Sequence, residues 1–368
     1  DAHSRSVGQP VFEQASTLCA VAAYPARMSN HRTESLAARV IDRVLEVPVV
    51  PSFTRLGPAV RRRVAGWTRL DGYHLDGRVV VVTGATSGLG RAAAEQLAAC
   101  RATVVLWGRD AGRLERTRGE IAAAVPGAAL ETVAADMGDL DAVRRGAAEL
   151  LARHARVDVL VNNAGALTAD RQSSPQGIEQ TVASQVVGPF LLTSLLLPAL
   201  RAAAPGRVVT VSSGGMYAAP LTVTRLQMGN DYRGAEQYAR AKRAQVTLNE
   251  MWADREPASG VVFHAMHPGW ADTPGVAASL PTFRRVVGPL LRTPAEGADT
   301  IVWLAADDDL PIRSSGRFWL DRAERSIHKI PSTRRSDTPD RRAALWDWVA
   351  DAAGVDKPAS DAAEQADG

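Results

Sequence analysis

Two cysteines, Cys19 and Cys100, in 368 residues leave no disulfide framework and no four-thiolate zinc site. Lysine is nearly absent: Lys242, Lys329 and Lys357 stand against forty arginines. Aromatic residues make up only 5% of the chain, which argues against base-stacking platforms. Neither sign of charge dominates, and a net +3 is too small for a nucleic-acid binder, which carries clustered positive charge. No run approaches the ~18 uninterrupted apolar residues of a membrane span. The apolar stretch 19–23 is short and lacks a basic leader, so no signal peptide is expected. What remains is a globular composition, 46% hydrophobic and 23% charged, with chain enough for one large domain or two ordinary ones. The arginine skew, with abundant Ala and Gly, fits a GC-rich genome. It also raises the question of why lysine is kept where it is kept.

Residues 1–30 show no sustained period and are expected to be mobile, with Met28 a candidate translation start. Leu36, Val40, Ile41, Val44 and Leu45 mark an amphipathic helix over 35–45, which Pro48 and Pro51 stop. A second short helix is expected over 58–67, carrying Arg61, Arg62 and Arg63. From residue 76 the pattern changes. Apolar runs at 78–82, 103–107, 130–135, 157–161, 207–211, 261–266 and 317–320 alternate with helical patterns at 89–99, 111–124, 140–153, 177–203, 236–255 and 294–306. Strands that are apolar throughout are buried on both faces, as a parallel sheet between helix layers requires. The expected fold is therefore α/β: a single doubly wound (Rossmann) parallel sheet with helices on both faces and an N-terminal helical extension. Thr338 followed by Pro339 predicts a last helix reaching about Ala353. The expected division is an extension over 1–75, a catalytic domain over 76–330, and a helix with a polar tail over 331–368.

The first strand runs into Thr83-Gly84-Ala85-Thr86-Ser87-Gly88-Leu89-Gly90, which opens a helix. Glycines let a backbone turn tightly and approach a pyrophosphate, and the free N–H groups of a helix start favour its charge. Ordinary turns also use glycine; the strand before and the helix after make the spacing specific. The second strand ends in Trp107-Gly108-Arg109-Asp110. A carboxylate that would hold a ribose 2′-hydroxyl is replaced by Gly108, and the following guanidinium suits a 2′-phosphate. NADP(H) is thus preferred and NAD(H) is the alternative, with Arg109 as a solvated arginine and Asp110 as a helix cap in the bland reading. Asp136 could accept from an adenine amino group, and Asn162-Asn163-Ala164-Gly165 ends the fourth strand, though each is also turn chemistry.

The fifth strand ends in Val211-Ser212-Ser213-Gly214-Gly215, and the next helix holds Tyr238-Ala239-Arg240-Ala241-Lys242. Spacing i, i+4 puts Tyr238 and Lys242 on one face. An ammonium beside a phenol favours tyrosinate, so Tyr238 could exchange a proton with a carbonyl or alcohol oxygen held by Ser213. A compact ammonium can also reach ribose hydroxyls, which explains a retained lysine. Ser212 is the alternative serine. His264 and His267 lack carboxylate or thiolate neighbours at ligand spacing and read as structural.

These motifs, in order, together with Pro268-Gly269, resemble the short-chain dehydrogenase/reductase family over about residues 76–322. The segments 211–216 and 267–275 are most similar to its member-twelve-like group, and to its retinol-dehydrogenase-like and ketoreductase-like groups. The resemblance implies hydride transfer between nicotinamide and a carbonyl or alcohol carbon, with Ser213, Tyr238 and Lys242 catalytic. It implies a cofactor cradle of Thr83, Gly84, Thr86, Ser87, Gly88, Leu89, Gly90, Arg109, Asp136, Met137, Asn163, Ala164, Gly165, Tyr238 and Lys242, with Pro268, Gly269 and Thr273 at the nicotinamide end. One departure stands out: Gln185 occupies the place of the family's Asn, which is thought to kink the helix and hold a water that relays protons to the lysine. A non-catalytic dinucleotide-binding scaffold of the same fold is the rival, and such folds also host epimerases and dehydratases.

Apolar residues of two candidate lid segments point to an apolar small-molecule substrate, although most of them are also expected simply to pack the lid onto the core: Val276, Leu280, Phe283, Val286, Val287, Leu290 and Leu291 in 274–293, and Met216, Tyr217, Leu221, Leu226 and Met228 before Tyr238. The expected setting is cytoplasmic, with the triple-arginine helix a candidate contact for an anionic membrane surface. Assembly as a homo-oligomer is compatible with this fold, and no metal site or nucleic-acid partner is expected.

Overall fold

The computed structural model describes residues 42, 52–279 and 281–355. Eight strands form one sheet: β1 (Val79–Thr83), β2 (Thr103–Gly108), β3 (Ala129–Ala134), β4 (Val159–Asn162), β5 (Gly206–Val211), β6 (Val261–Met266), β7 (Arg317–Leu320) and β8 (Ala323–Arg325). Their spatial order is β3-β2-β1-β4-β5-β6-β7-β8. All pairs are parallel except β7–β8. β1 therefore lies between β2 and β4, and the strand order reverses there, which opens a crevice beyond the carboxyl ends.

The helices of ten or more residues among the described residues are α1 (Leu56–Ala65), α2 (Gly88–Ala99), α3 (Ala111–Ala124), α4 (Leu140–Arg153), α5 (Gly188–Arg201), α6 (Gly234–Arg255), α7 (Pro294–Ala306) and α8 (Pro339–Ala353). Successive residues of β1 serve opposite cores. Val80 and Val82 pack with Leu97, Leu114 and Ile301 from α2, α3 and α7, while Val81 packs with Val143, Leu191 and Leu248 from α4, α5 and α6. The uninterrupted valine run of β1 is thus the signature of burial on both faces. α8 closes the second layer: Trp346 meets Phe190 of α5 at 4.9 Å and Trp252 of α6 at 4.8 Å.

The structure departs from the sequence-based expectation in three places. The segment 177–203 is not one helix: a turn at Gln180–Val182 leads into a π-helical turn at Ala183–Val187 before α5 begins. Pro189 supplies the reason. It has no N–H to give the carbonyl four residues back, and that carbonyl, Gln185 O, accepts instead from Gln245 Nε2 at 2.5 Å. The region Gln180–Arg201 is long and apolar enough to cross a membrane by length and composition, yet 72% of its 18-residue apolar stretch is buried in the fold. β8 carries no apolar run and was not expected. The helix expected over 58–67 spans Leu56–Ala65, and its three arginines differ: Arg61 is buried, while Arg62 and Arg63 are exposed. The helix expected over 35–45 and the mobile lead-in at 1–30 lie outside the described residues, save Asp42.

Candidate active site

The glycine loop follows β1. Gly84 has φ of +67°, and a Cβ there would stand 2.9 Å from the Ala164 Cα, so this position needs glycine both for conformation and for the approach of the 162–165 turn. Thr83 and Asn163 tie the two strand ends together. The Thr83 hydroxyl accepts from the backbone N–H of Asn163 (2.9 Å) and of Ala164 (3.0 Å), and the Asn163 amide donates to Thr83 O at 2.8 Å. These two side chains shape the groove from behind. Facing it are Gly84, Thr86, Ser87, Gly88 and Leu89, all partly or fully exposed, with Gly90 buried under the turn and Gly165 exposed beyond it.

α2 starts at Gly88 with no side-chain capping bond from Ser87 and no acidic residue in its first turn. By contrast α3, α4, α7 and α8 are capped by Asp110, Asp139, Thr293 and Thr338. The α2 start thus keeps first-turn N–H groups for an outside acceptor, the chemistry a pyrophosphate offers. The residues present fit a dinucleotide. Thr273 Cβ lies 3.3 Å from the Cβ position of Gly88, which puts the segment after β6 against the same helix start.

At the end of β2, Arg109 is exposed and makes no ion pair among the described residues. A Cβ at Gly108 would meet Leu114 Cδ2 at 3.3 Å and Thr86 Cγ2 at 3.4 Å, so little room exists there for a carboxylate. Asp110 accepts from Arg113 N at 2.8 Å and is the cap of α3. Asp136 is half-buried at the end of β3, where its carboxylate accepts from Gly138 N at 2.8 Å. Met137 is 4% exposed with its side chain packed in the core, so its backbone is the part that faces the strand end.

Ser213 and Tyr238 are brought together. Burial pushes the Tyr238 phenol above its usual range, and the Ser213 hydroxyl beside it pulls the other way. Ser212 turns inward and donates to Lys242 O at 3.3 Å, whereas the Ser213 hydroxyl lies beside Tyr238. Lys242 is buried, and desolvation brings its ammonium down to about 7. Its Nζ donates to Val211 O at 2.9 Å and stands 5.3 Å from the centre of the Tyr238 ring. The expected lowering of the phenol by this ammonium is not realised: burial raises the phenol and the opposing pull comes from the Ser213 hydroxyl, while Nζ is engaged at the strand end by Val211 O.

Gln185, in the π-helical turn, donates from Nε2 to Ala166 O at 2.7 Å. Its Oε1 and the Asn162, Gln245 and Asn249 amide oxygens are buried without a hydrogen-bond partner around a cavity of about 30 Å³. That volume suits one water and excludes a substrate. His264 is structural, with Nε2 at 2.7 Å from Pro311 O and Nδ1 at 3.1 Å from Trp319 Nε1. His267 is different: both ring nitrogens are buried and unpartnered, and burial first, then Arg292 and Lys329, hold it neutral at about 3.

The lid residues require the largest correction. Met216, Tyr217, Leu221, Leu226, Met228 and Leu291 are all under 9% exposed and belong to the core, so they form no substrate wall. Val286 and Leu290 are exposed, at 75% and 39%, and Val287 is half-buried. Val276, Leu280 and Phe283 lie outside the described side chains. Local sequence carries no signal for Phe53, Arg292 or Asp321, which gather beneath Pro268-Gly269: Arg292 bonds Phe53 O, 239 residues away, and Asp321, 29 residues away.

Residues 78–282 match the model of the short chain dehydrogenase family. The human dehydrogenase/reductase SDR family member 12 is 38% identical over 266 residues, 72% of this chain and 83% of that one. Human retinol dehydrogenase 11 is 30% identical over 302 residues, 81% of this chain and 92% of that one. Among solved structures, a protein of Beutenbergia cavernae superimposes with a TM-score of 0.56 at 31% identity, covering 67% of this chain and 95% of that one. It is provisionally assigned as an NAD(P)-dependent gluconate 5-dehydrogenase and carries NADP at low occupancy.

Proposed function

The chain belongs to the short-chain dehydrogenase/reductase family and is an NAD(P)-dependent oxidoreductase of CH–OH and C=O groups; on that premise we propose that it uses NADP(H) and acts on an apolar ketone, aldehyde or alcohol. The observation that carries the reading is the meeting of Ser213 and Tyr238 at the end of β5, beside a groove whose helix start is uncapped. When bound, the dinucleotide supplies or takes the hydride. Every other part of the reaction falls to the chain. The N–H groups opening α2 and the exposed Arg109 hold phosphates, with Thr86 beside Gly108. Asp136 and the backbone of Met137 flank the adenine. Pro268, Gly269 and Thr273 wall the nicotinamide end.

Ser213 holds the substrate oxygen, and Tyr238 gives it a proton in reduction or takes one in oxidation. A phenol raised by burial is protonated at neutral pH, which suits it as the acid of carbonyl reduction. Lys242 fixes the nicotinamide ribose and carries charge only below about pH 7 while the site is free. Tyr238→Phe removes the proton and keeps the ring. Turnover should fall ~10²-fold or more with NADPH affinity retained; turnover near the wild-type rate refutes the assignment.

An apolar substrate is supported by the retinol dehydrogenase relative and by the exposed Val286 and Leu290 of the lid; of its two arginines, Arg284 is held by Asp272 at 2.7 Å and Arg285 is exposed. Leu56, Val60 and Val64 are exposed at one-turn spacing on α1, flanked by Arg62 and Arg63. This face supports peripheral contact of a cytoplasmic protein with an anionic membrane. Co-sedimentation with phosphatidylserine vesicles should exceed that with phosphatidylcholine vesicles, and Val60→Glu should abolish the difference. Equal sedimentation with both dismisses the contact.

A further inference from the structure

A strap of chain at 52–61, which precedes the family-matched region, sits under the turn that the proposed function places at the nicotinamide end. Phe53 touches both neighbouring strand ends. Its ring lies 4.5 Å from that of His267 and 5.8 Å from that of Trp270, and its Cε2 is 3.0 Å from the Cβ position of Gly214. Its carbonyl accepts from Trp270 N at 2.7 Å. The residues following β5 carry Ser213, and those following β6 carry Pro268 and Gly269. One aromatic side chain therefore spans the two.

Arg292 locks this contact. Its guanidinium, 1% exposed, donates to Ser52 O (2.8 Å), Phe53 O (3.1 Å), Thr54 O (3.3 Å) and Pro268 O (3.2 Å), and pairs with Asp321 at 2.5 Å. Arg61 pairs with the same Asp321 carboxylate and with Asp42, which also holds Arg325. Three guanidinium groups thus face two carboxylates in a buried cluster, and the strap carbonyls take up the surplus charge. Gly269 has φ of +73°, and any side chain there would overlap the Arg292 guanidinium. Strap, guanidinium and turn fit as one unit.

We propose that Phe53 is a positioning residue of the active site: held by Arg292 and Asp321, it fixes the Ser213–Gly215 and Pro268–Trp270 segments relative to each other and so sets the nicotinamide-end geometry. The proposal rests on the dinucleotide reading above. Because the strap lies far from Arg109 along the groove, it predicts a split between two ligands. Phe53→Ala in the full chain should weaken NADPH binding and lower kcat, each ~10-fold, as sub-ångström misplacement does. Binding of 2′,5′-ADP, which lacks the nicotinamide half, should stay within about twofold of wild type if geometry rather than global stability is affected. Phe53→Leu, which refills the space, should restore most of both losses. Equal weakening of NADPH and 2′,5′-ADP would show a merely structural role and overturn the proposal, as would an unchanged kcat. Wild-type protein that binds neither ligand refutes the dinucleotide reading itself, and the positioning role with it.

Discussion

Replacing Arg109 with Ala removes the charge that the proposed cofactor preference rests on. Arg109 follows β2, is exposed, and makes no ion pair among the described residues, so none of these competes with a phosphate for it. A guanidinium–phosphate bond is worth roughly 1.5–3 kcal/mol when charge-assisted. Exposure to water places Arg109 at the lower end, ~1.5 kcal/mol, which is about a twelvefold loss in NADPH affinity. NADH carries no 2′-phosphate and should bind both proteins alike. Thr86 and Leu114 crowd the Cβ position of Gly108, so no carboxylate takes the 2′-hydroxyl in compensation. Titrations of both cofactors by nicotinamide fluorescence give the four constants needed. Repeating them from 0.1 to 1 M salt, where the screening length falls from ~10 to ~3 Å, should shrink the NADPH advantage in wild type and leave Arg109→Ala flat. If wild type binds NADH as tightly as NADPH, or the substitution weakens both equally, the assignment is wrong.

Two further outcomes follow from the site. Lys242, brought down to about 7 by burial, is charged below that pH and neutral above it. NADH, free of a titrating 2′-phosphate, should therefore bind ~5-fold less tightly as pH rises through 7, the difference between a charged and a neutral donor. Lys242→Met should remove that step, and a step that persists in the variant assigns it to another group. A homologous series of methyl ketones should show kcat/KM rising by up to ~0.8 kcal/mol of transition-state stabilisation per added methylene; a flat or falling series means the pocket is not apolar.

Most of strands β1 to β7 could be read along the chain because their residues form apolar runs that local sequence alone specifies; β3, which carries Glu131 and Thr132, is the partial exception. β8 could not, since Ala323-Glu324-Arg325 is defined only by its pairing with β7. Arg61, Arg62 and Arg63 are equivalent in sequence, and the first alone is drawn inward by carboxylates, those of Asp42 and of Asp321, 260 residues away. The π-helical turn was foreshadowed by Pro189, but where the freed Gln185 carbonyl would find a donor depended on Gln245 in another helix. Glycine loop, Ser213, Tyr238 and Lys242 were legible because their spacing is local to strand ends and one helix face. The lid residues were misread for the opposite reason. An apolar side chain in a loop looks alike whether it lines a pocket or, like Met216 and Leu226, fills a core.

The two rims of the sheet bear on solubility. At one rim β8 is three residues long and runs against its neighbour, with Arg325 tied to Asp42 at 2.6 Å and Glu324 paired to Arg317 at 3.4 Å. At the other, β3 carries Glu131, engaged by Arg153 at 2.9 Å and His154 at 3.0 Å. Short, charged, ion-paired borders offer a poor template for a strand from a second molecule. A concentrated solution of this protein is thereby protected from fibre-like growth by edge-to-edge addition, and a homo-oligomer would have to form through surfaces other than the sheet margins.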